Sequence, residues 1–172
     1  MKLDVSSIKN SIGASIKINL KASLEPINFY GSKLTFEEPL HLQGEAINTG
    51  ESILIKANIK TNYKTECSRC NKPIQKILEI EFCEEFHPSS SSLNYDVNIF
   101  EGDEIKLDKV VIGNIILNIP MKILCSYDCK GLCHICGKDL NSGKCNCENR
   151  ETDSRFAVLK DLFTVQDTDK EV

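Results

Sequence analysis

The chain has 172 residues, of which 41% are hydrophobic and 6% aromatic, with no tryptophan and a formal net charge of −4. This length allows one domain with a core of its own, or such a domain with a small appendage. The net charge excludes a uniformly basic nucleic-acid coat, and no apolar run approaches membrane-spanning length. The first residues lack the apolar stretch of a secretory signal, so we expect a cytoplasmic protein with reduced thiols.

The charges are unevenly distributed. Residues 53–78 hold six basic residues against one acid, whereas residues 79–108 hold nine acids against one lysine. A chain with this pattern can present a local basic face to phosphate groups. The alternative is that both segments are solvated strand faces of mixed charge, and composition alone does not decide between these interpretations.

Alternating apolar and polar residues predict strands in the first half of the chain. Residues 14–20 form the first, and the same period of two recurs from Lys33 to Phe86. Turn-forming residues interrupt the pattern at 38–39, 48–51 and 71–73, which favours an antiparallel meander. The apolar positions of the last strand are Ile74, Ile77, Leu78, Ile80 and Phe82.

Two helices are predicted further along the chain. Residues 108–118 are apolar nearly all round, which indicates a buried helix, with Asp108 as its cap and Pro120 after its end. Pro88–Ser92 precedes it as a linker-like loop. A second short helix begins at Thr152 or Asp153, and its apolar stripe consists of Phe156, Leu159, Leu162 and Phe163.

These elements predict an α+β protein with an antiparallel sheet, barrel-like if it closes, two short helices and a C-terminal zinc-ribbon-like cysteine cluster. We expect three regions: a β domain with its buried helix over 1–120, a cysteine cluster over 121–150, and a C-terminal helix and tail over 151–172.

Nine cysteines carry most of the chemical information. In a chain without a secretory signal, cysteines two or three residues apart predict zinc rather than disulfides. The run Cys133-His134-Ile135-Cys136-Gly137 has the form of a zinc knuckle, in which the glycine supplies a left-handed turn. With the later Cys-x-Cys motif, it predicts one site formed by Cys133, Cys136, Cys145 and Cys147.

A second site is open to two interpretations. In one, the Cys67-Ser68-Arg69-Cys70 motif at a hairpin tip joins Cys125 and Cys129, and a metal ion closes a long loop. In the other, a local quartet of Cys125, Cys129, Cys133 and Cys136 leaves the hairpin motif unused. One or two zinc ions are therefore expected.

The remaining candidate functional residues have ordinary structural interpretations. Cys83 is expected to be a structural thiol in the core or at a strand edge, and His134 is expected to be exposed rather than a ligand. A redox role for the hairpin motif is disfavoured, because redox Cys-x-x-Cys pairs stand at helix N-termini. No nucleophile elbow, phosphate loop or zincin motif is present, so we expect a protein without enzymatic activity, catalytic residues or small-molecule substrate.

The ordered series of these motifs resembles the YceD family, the large ribosomal RNA subunit accumulation proteins. The resemblance extends from about Ile53 to Phe163. It rests on Cys67-x-Arg69-Cys70-x-x-Pro73, Asp108, Pro120, Cys125, Cys129, Gly131-Leu132-Cys133-x-x-Cys136-Gly137, Leu140-Asn141, Cys145-x-Cys147 and Asp153-x-Arg155-Phe156-x-x-Leu159. Some members lack the C-terminal cysteines, so zinc there is not a requirement common to the family.

The resemblance implies a cytoplasmic, non-membrane protein that supports synthesis, processing or stability of the large-subunit (23S) ribosomal RNA precursor. We expect it to bind that RNA or a ribosomal assembly protein. Phosphate contacts are expected from basic residues near the cysteines, namely Arg69, Lys72, Lys76, Lys130, Lys138 and Lys144. The rival hypothesis is a protein-interaction adaptor with structural zinc, whose acidic stretch 79–108 docks a basic protein, and a thiol oxidoreductase is a third.

Overall fold

β-Strands dominate the computed structural model, which describes residues 1–89 and 97–147. The chain divides into two units, Met1–Cys129 and Lys130–Val172. All strands and the helix of the described residues lie in the first unit. They are β1 (Lys2–Asp4), β2 (Ser15–Ala22), β3 (Ile27–Phe29), β4 (Ser32–Phe36), β5 (Leu40–Asn48), β6 (Ile53–Glu66), β7 (Pro73–Pro88), β8 (Asn98–Phe100), β9 (Glu104–Lys106) and α1 (Asp108–Asn118).

The main sheet is built around the long β6–β7 hairpin. Antiparallel pairing runs from β2 through β5 and β6 to β7, and β8 adds to the end of β7 in parallel. The β3–β4 hairpin pairs with the far half of β6, where Phe36 lies opposite Tyr63. β1 and β9 form a separate two-stranded sheet. The meander expected from the sequence is thus present in β5, β6 and β7, whose turns coincide with the predicted breaks.

The sheet does not close into a barrel. Among the described residues β2 pairs with β5 alone, so the sheet has an open edge there. The predicted second helix and most of the predicted linker-like loop lie outside the described residues.

The core follows from the period-two pattern. Alternate residues of β6 are buried from Ile53 to Tyr63, and they pack with the inward residues of β5 and β7. Ile77 is an exception, because the inward positions of β7 are even-numbered, and its side chain is 69% exposed.

Two expectations about helix α1, its cap and its complete burial, were wrong. Its N-cap is Leu107, which makes no side-chain cap bond, and Asp108 is the first helical residue. The Asp108 carboxylate instead accepts a hydrogen bond from the amino group of Met1, which lowers the pKa of Asp108. Only one side of the helix is buried, through Val110, Val111 and Ile115.

The described residues include no helix with the length and apolar character needed to cross a bilayer.

The close approach of β5 and β6 gives a test of the sheet. A Cβ at Gly44 would lie 2.1 Å from the Lys56 carbonyl oxygen and 2.5 Å from the Ala57 Cα. Gly44→Ala should therefore lower the free energy of unfolding by about 1–3 kcal/mol, the usual cost of overpacking, as measured by urea denaturation.

Gly113→Ala is the control, because its Cβ meets no atom within 4 Å. This substitution should raise stability by about 0.5–1 kcal/mol. An unchanged stability for Gly44→Ala would contradict the described strand packing.

Candidate metal centres

Four cysteines converge at the tip of the β6–β7 hairpin. Their sulfur atoms all lie within 4.8 Å of one another, and we call this group (Cys67, Cys70, Cys125 and Cys129) the hairpin cluster. The sulfurs of Cys67 and Cys129 are 3.8 Å apart, and those of Cys70 and Cys125 are 3.6 Å apart. Cys67, Cys70 and Cys129 are buried, with Leu124 packed against them. The cluster therefore joins the hairpin to a segment 55–62 residues further along the chain.

Hydrogen bonds from the hairpin turn hold this segment in place independently of the sulfurs. The Ser68 N–H donates to the Ile123 carbonyl, and the Ile123 N–H donates to the Ser68 hydroxyl. The Arg69 guanidinium donates to the carbonyl of Cys129 at 2.7 Å. Ser68 and Arg69 therefore position the backbone that carries two of the four cysteines.

The second unit carries another group of four. The sulfurs of Cys133, Cys136, Cys145 and Cys147, the C-terminal cluster, also lie within 4.8 Å of one another. Cys133 is buried, Cys136 is exposed, and the other two are half-buried. The Cys145 thiol donates to the Cys133 sulfur at 3.4 Å. The two clusters coincide with the two quartets inferred from the sequence, and the local alternative that left Cys67 and Cys70 unused does not form.

Both Cys-x-x-Cys motifs adopt the same hydrogen-bonded turn. In the hairpin the Cys67 N–H donates to the Lys72 carbonyl, and the Asn71 N–H donates to the Cys67 carbonyl. In the second unit the same two bonds run from Cys133 to Lys138 and from Gly137 to Cys133. The residue after the second cysteine has a positive φ in each case, 56° at Asn71 and 72° at Gly137.

Sequence reasoning identified the glycine of this turn but missed its counterpart, Asn71. The signal available in the sequence was the residue type itself. Except for glycine, asparagine is among the residues that best tolerate the left-handed conformation. It also missed the positioning bonds of Ser68 and Arg69, for which residue spacing gives no indication.

Backbone N–H groups favour one thiolate in the hairpin cluster. Burial raises the pKa of Cys67, but the N–H groups of Arg69, Cys125 and Cys70 outweigh burial and lower it to about 6. The Lys72 N–H lowers the pKa of Cys70, whereas burial and the neighbouring sulfurs raise it, to about 12. A hydrogen bond with the Cys129 side chain is the main cause of the raised pKa of Cys125. Cys67 therefore ionises first, whereas Cys70 and Cys125 keep their protons until a cation takes their place.

The C-terminal cluster repeats this electrostatic arrangement. The N–H groups of Cys136 and Ile135, with the Cys145 thiol, lower the pKa of Cys133 to about 6 against the effect of burial. The interaction with Cys136 is the main cause that raises the pKa of Cys147, to about 12. The Ile135 N–H lies 3.4 Å from the Cys133 sulfur, as expected of a knuckle that supports a thiolate.

The sulfur separations fit metal coordination and not disulfides. None of the nine cysteines, all of which lie in the described residues, forms a disulfide, and the bonded distance of about 2.05 Å in a disulfide is far shorter than the separations here. Tetrahedral coordination with metal–sulfur bonds of about 2.3 Å places sulfurs about 3.8 Å apart. The closest pairs in the two clusters lie 3.4–3.8 Å apart. Each cluster could therefore hold one metal ion.

The six basic residues proposed from the sequence fall into two groups, one in each unit. Arg69, Lys72 and Lys76 are exposed at and beside the hairpin tip. Lys130, Lys138 and Lys144 are exposed in the second unit, where the Lys138 ammonium group donates to the Lys144 carbonyl at 3.0 Å. Their contact with RNA stays a prediction.

The other singled-out residues stand apart from the clusters. Cys83 is exposed on β7 opposite Lys56, at a point where β7 has no second strand partner among the described residues. It is therefore an edge thiol and not a core thiol. His134 is exposed within its knuckle, outside the four-sulfur group.

An open antiparallel sheet with two four-thiol groups defines a class of β-proteins whose cysteines are arranged for metal coordination. A sequence profile described as "Large ribosomal RNA subunit accumulation protein YceD" matches residues 55–163, which include both clusters. The chain belongs to the YceD family.

Individual relatives match to different extents. An uncharacterized protein of Mycobacterium tuberculosis is 27% identical over 72% of this chain, and the match spans 61% of the relative's length. The uncharacterized protein YlbN of Bacillus subtilis is 25% identical over 97% of the chain and 99% of its own length. A chloroplastic YCED homolog of Arabidopsis thaliana is 36% identical over 36% of the chain and 19% of its own length. No solved structure gives a significant match.

The turn shared by the two Cys-x-x-Cys motifs predicts that glycine and valine substitutions at Asn71 affect metal binding differently. Asn71→Gly should retain metal binding by the hairpin cluster, because glycine adopts positive φ without strain. Asn71→Val should weaken it at least tenfold, since a β-branched residue disfavours this conformation. Competition with a chromophoric chelator measures both affinities. Gly137→Val is the matched variant and should weaken the C-terminal cluster alone. Equal affinities for the glycine and valine variants would contradict the role of Asn71.

Proposed function

We propose that this chain is a non-enzymatic zinc-binding factor that supports synthesis, processing or stability of large-subunit ribosomal RNA in the cytoplasm. Membership of the YceD family is the observation that carries the proposal. The direct partner is the RNA precursor, which the protein binds by phosphate contacts from the basic residues near its cysteine clusters.

The donor set supports zinc as the metal. Four thiolates at tetrahedral spacing suit zinc or iron–sulfur chemistry, and four-coordinate zinc is the usual occupant of closed structural sites. Both clusters use all four positions for sulfur, so neither keeps an open position for a substrate or an activated water. This closure also supports a structural role and the absence of enzymatic activity.

Strand register supports RNA contact at the hairpin tip. The basic segment (53–78) and the acidic segment (79–108) pair as neighbouring strands in β6 and β7. The Lys60 Nζ atom lies 3.9 Å from the Glu79 carboxylate. Beyond Glu79 towards the turn, β7 carries no further acid, and Lys72, Lys76 and Arg69 occupy this end of the hairpin. At the tip these three basic residues outnumber the single acid, Glu66, so a local excess of positive charge lies where phosphate could approach.

The adaptor hypothesis has less support. It requires the acidic stretch 79–108 to be available to a basic protein, yet several of its carboxylates have partners within the chain. The pairs are Glu79 with Lys60, Asp103 with Lys9, Glu104 with Lys2, and Asp108 with the Met1 amino group.

The thiol oxidoreductase hypothesis has the least support. Cys67 has a lowered pKa, as a nucleophile would, but its side chain is completely buried. Its motif joins two strands and does not begin a helix, unlike redox Cys-x-x-Cys pairs. Metal coordination by the whole cluster would also block the sulfur.

Metal content tests the first part of the proposal. Native mass spectrometry of anaerobically purified protein should show two zinc ions, one for each cluster. Cys70→Ser and Cys136→Ser should each reduce the count to one, because each removes one of four ligands. Cys83→Ser is the control and should retain both ions. If the wild-type protein held one zinc ion and Cys70→Ser left that count unchanged, zinc binding by the hairpin cluster would be refuted.

Salt-dependent RNA binding tests the second part. Binding to transcribed fragments of large-subunit ribosomal RNA should weaken steeply with salt. The double variant Lys72→Gln/Lys76→Gln should lower the slope of log affinity against log salt by about 2, that is, about 1 per lost phosphate contact. The control, Lys17→Gln/Lys21→Gln, removes the same charge from β2. No RNA binding, or equal slopes for the two variants, would contradict phosphate contact at the hairpin tip.

A further inference from the structure

Helix α1 exposes an apolar side to solvent. Ile112 and Ile116 are 36% and 39% exposed, Leu117 is 83% exposed, and Met121, just beyond the helix, is 74% exposed. Helical spacing places Ile112, Ile116 and Leu117 on one side, opposite the buried Val111 and Ile115. We call this surface (Ile112, Gly113, Ile116, Leu117 and Met121) the α1 face. Exposed aliphatic residues grouped in this way mark interaction sites more often than single exposed ones.

Gly113 lies in the middle of the α1 face. A Cβ at this position would meet no atom within 4 Å, and the residue has no positive φ that would require glycine. Glycine inside a helix is destabilising by about 1 kcal/mol relative to alanine. Among the described residues no contact explains the glycine, whereas the close approach of a partner helix would, since small residues reduce the distance between packed helices.

The segment that carries the α1 face has only basic charges of its own. Residues 109–127 contain Lys109 and Lys122 and no acid. The acid at the start of the helix, Asp108, is paired with the Met1 amino group. Lys109 stands one turn before Gly113, so a molecule seated on the face would meet positive charge at its rim.

We propose that the α1 face binds an amphipathic helix of a partner protein, with an apolar ridge that packs across Gly113 and acidic residues that meet Lys109 and Lys122. The apolar ridge is desolvated against Ile112, Ile116 and Leu117, and the acids supply complementary charge at the rim. This interaction goes beyond the proposed RNA contact, because it uses a different surface and different residues.

Two other occupants fit less well. A second copy of the chain would bring two lysine-rimmed faces together, and like charges oppose such pairing. RNA would need cations in contact with phosphate or aromatic rings for stacking, whereas this face consists of aliphatic side chains.

Fluorescence anisotropy with a designed peptide tests the proposal. The probe is a labelled helix of about 18 residues, long enough to form in water, with leucines along one side and glutamates on both flanks. The full chain should bind it at least tenfold more tightly than the same peptide with lysine flanks. Leu117→Glu should abolish binding. Gly113→Ala should weaken it several-fold although the same substitution stabilises the free protein.

Ile77→Glu is the matched control, because Ile77 is 69% exposed on β7, outside the α1 face. It should leave peptide affinity unchanged. No binding, equal affinity for the two peptides, or insensitivity to Leu117→Glu would overturn the proposal. A dimer in sedimentation velocity that Leu117→Glu dissociates would assign the face to a second copy, and loss of RNA affinity in that variant would assign it to RNA. Either result would overturn the partner-helix assignment, and the Lys72/Lys76 experiment would still test the RNA contact separately.

Discussion

The first unit depends on a cross-connection between the tip of the β6–β7 hairpin and residues 123–129. Beyond Tyr63 the hairpin contributes only the partly buried Ile74 to the main hydrophobic core, and three buried cysteines with Leu124 form a small second core at its tip. The bonds of Ser68 and Arg69 align the two backbones that carry the four sulfurs. Coordination would then cross-link chain segments 55–62 residues apart, where a constraint restricts the unfolded chain strongly.

The two clusters share one turn geometry but differ in their surroundings. The hairpin cluster is mostly buried and completes its quartet with a Cys-x3-Cys segment, whereas the C-terminal cluster is more exposed and uses Cys-x-Cys. Burial limits access of water, chelators and oxidants to sulfur, so the hairpin cluster has the surroundings of a permanent structural element. The C-terminal cluster, which is more exposed, has those of an accessory unit.

Sequence reasoning succeeded where short-range rules apply. Period-two alternation located the strands of the meander, and cysteine spacing identified the C-terminal quartet, because both features depend on local geometry. For the other site, spacing left two quartets open, of which the structure forms the one that includes Cys67 and Cys70. It failed where tertiary contacts decide. The exposure of Ile112, Ile116 and Leu117 depends on which side of α1 the sheet covers, and the partner of Asp108 is the chain terminus, 107 residues away. The open sheet edge at β2 and the bond from Arg69 to Cys129 follow from long-range pairing, which neither propensity nor spacing encodes.

Strand pairing also changes the meaning of the segment charges. As sequence, residues 53–78 and 79–108 resemble a basic and an acidic surface, but in the sheet they are neighbours, and Lys60 faces Glu79. The positive charge that survives this pairing lies at the hairpin tip, beside the cluster. A zinc ion with four thiolates carries a net charge of about −2, which opposes the field of Arg69, Lys72 and Lys76. The hairpin tip can therefore contact phosphate only through side chains that extend away from the cluster, and the Arg69 guanidinium, which is bonded to the Cys129 carbonyl, is the least suited of the three to do so.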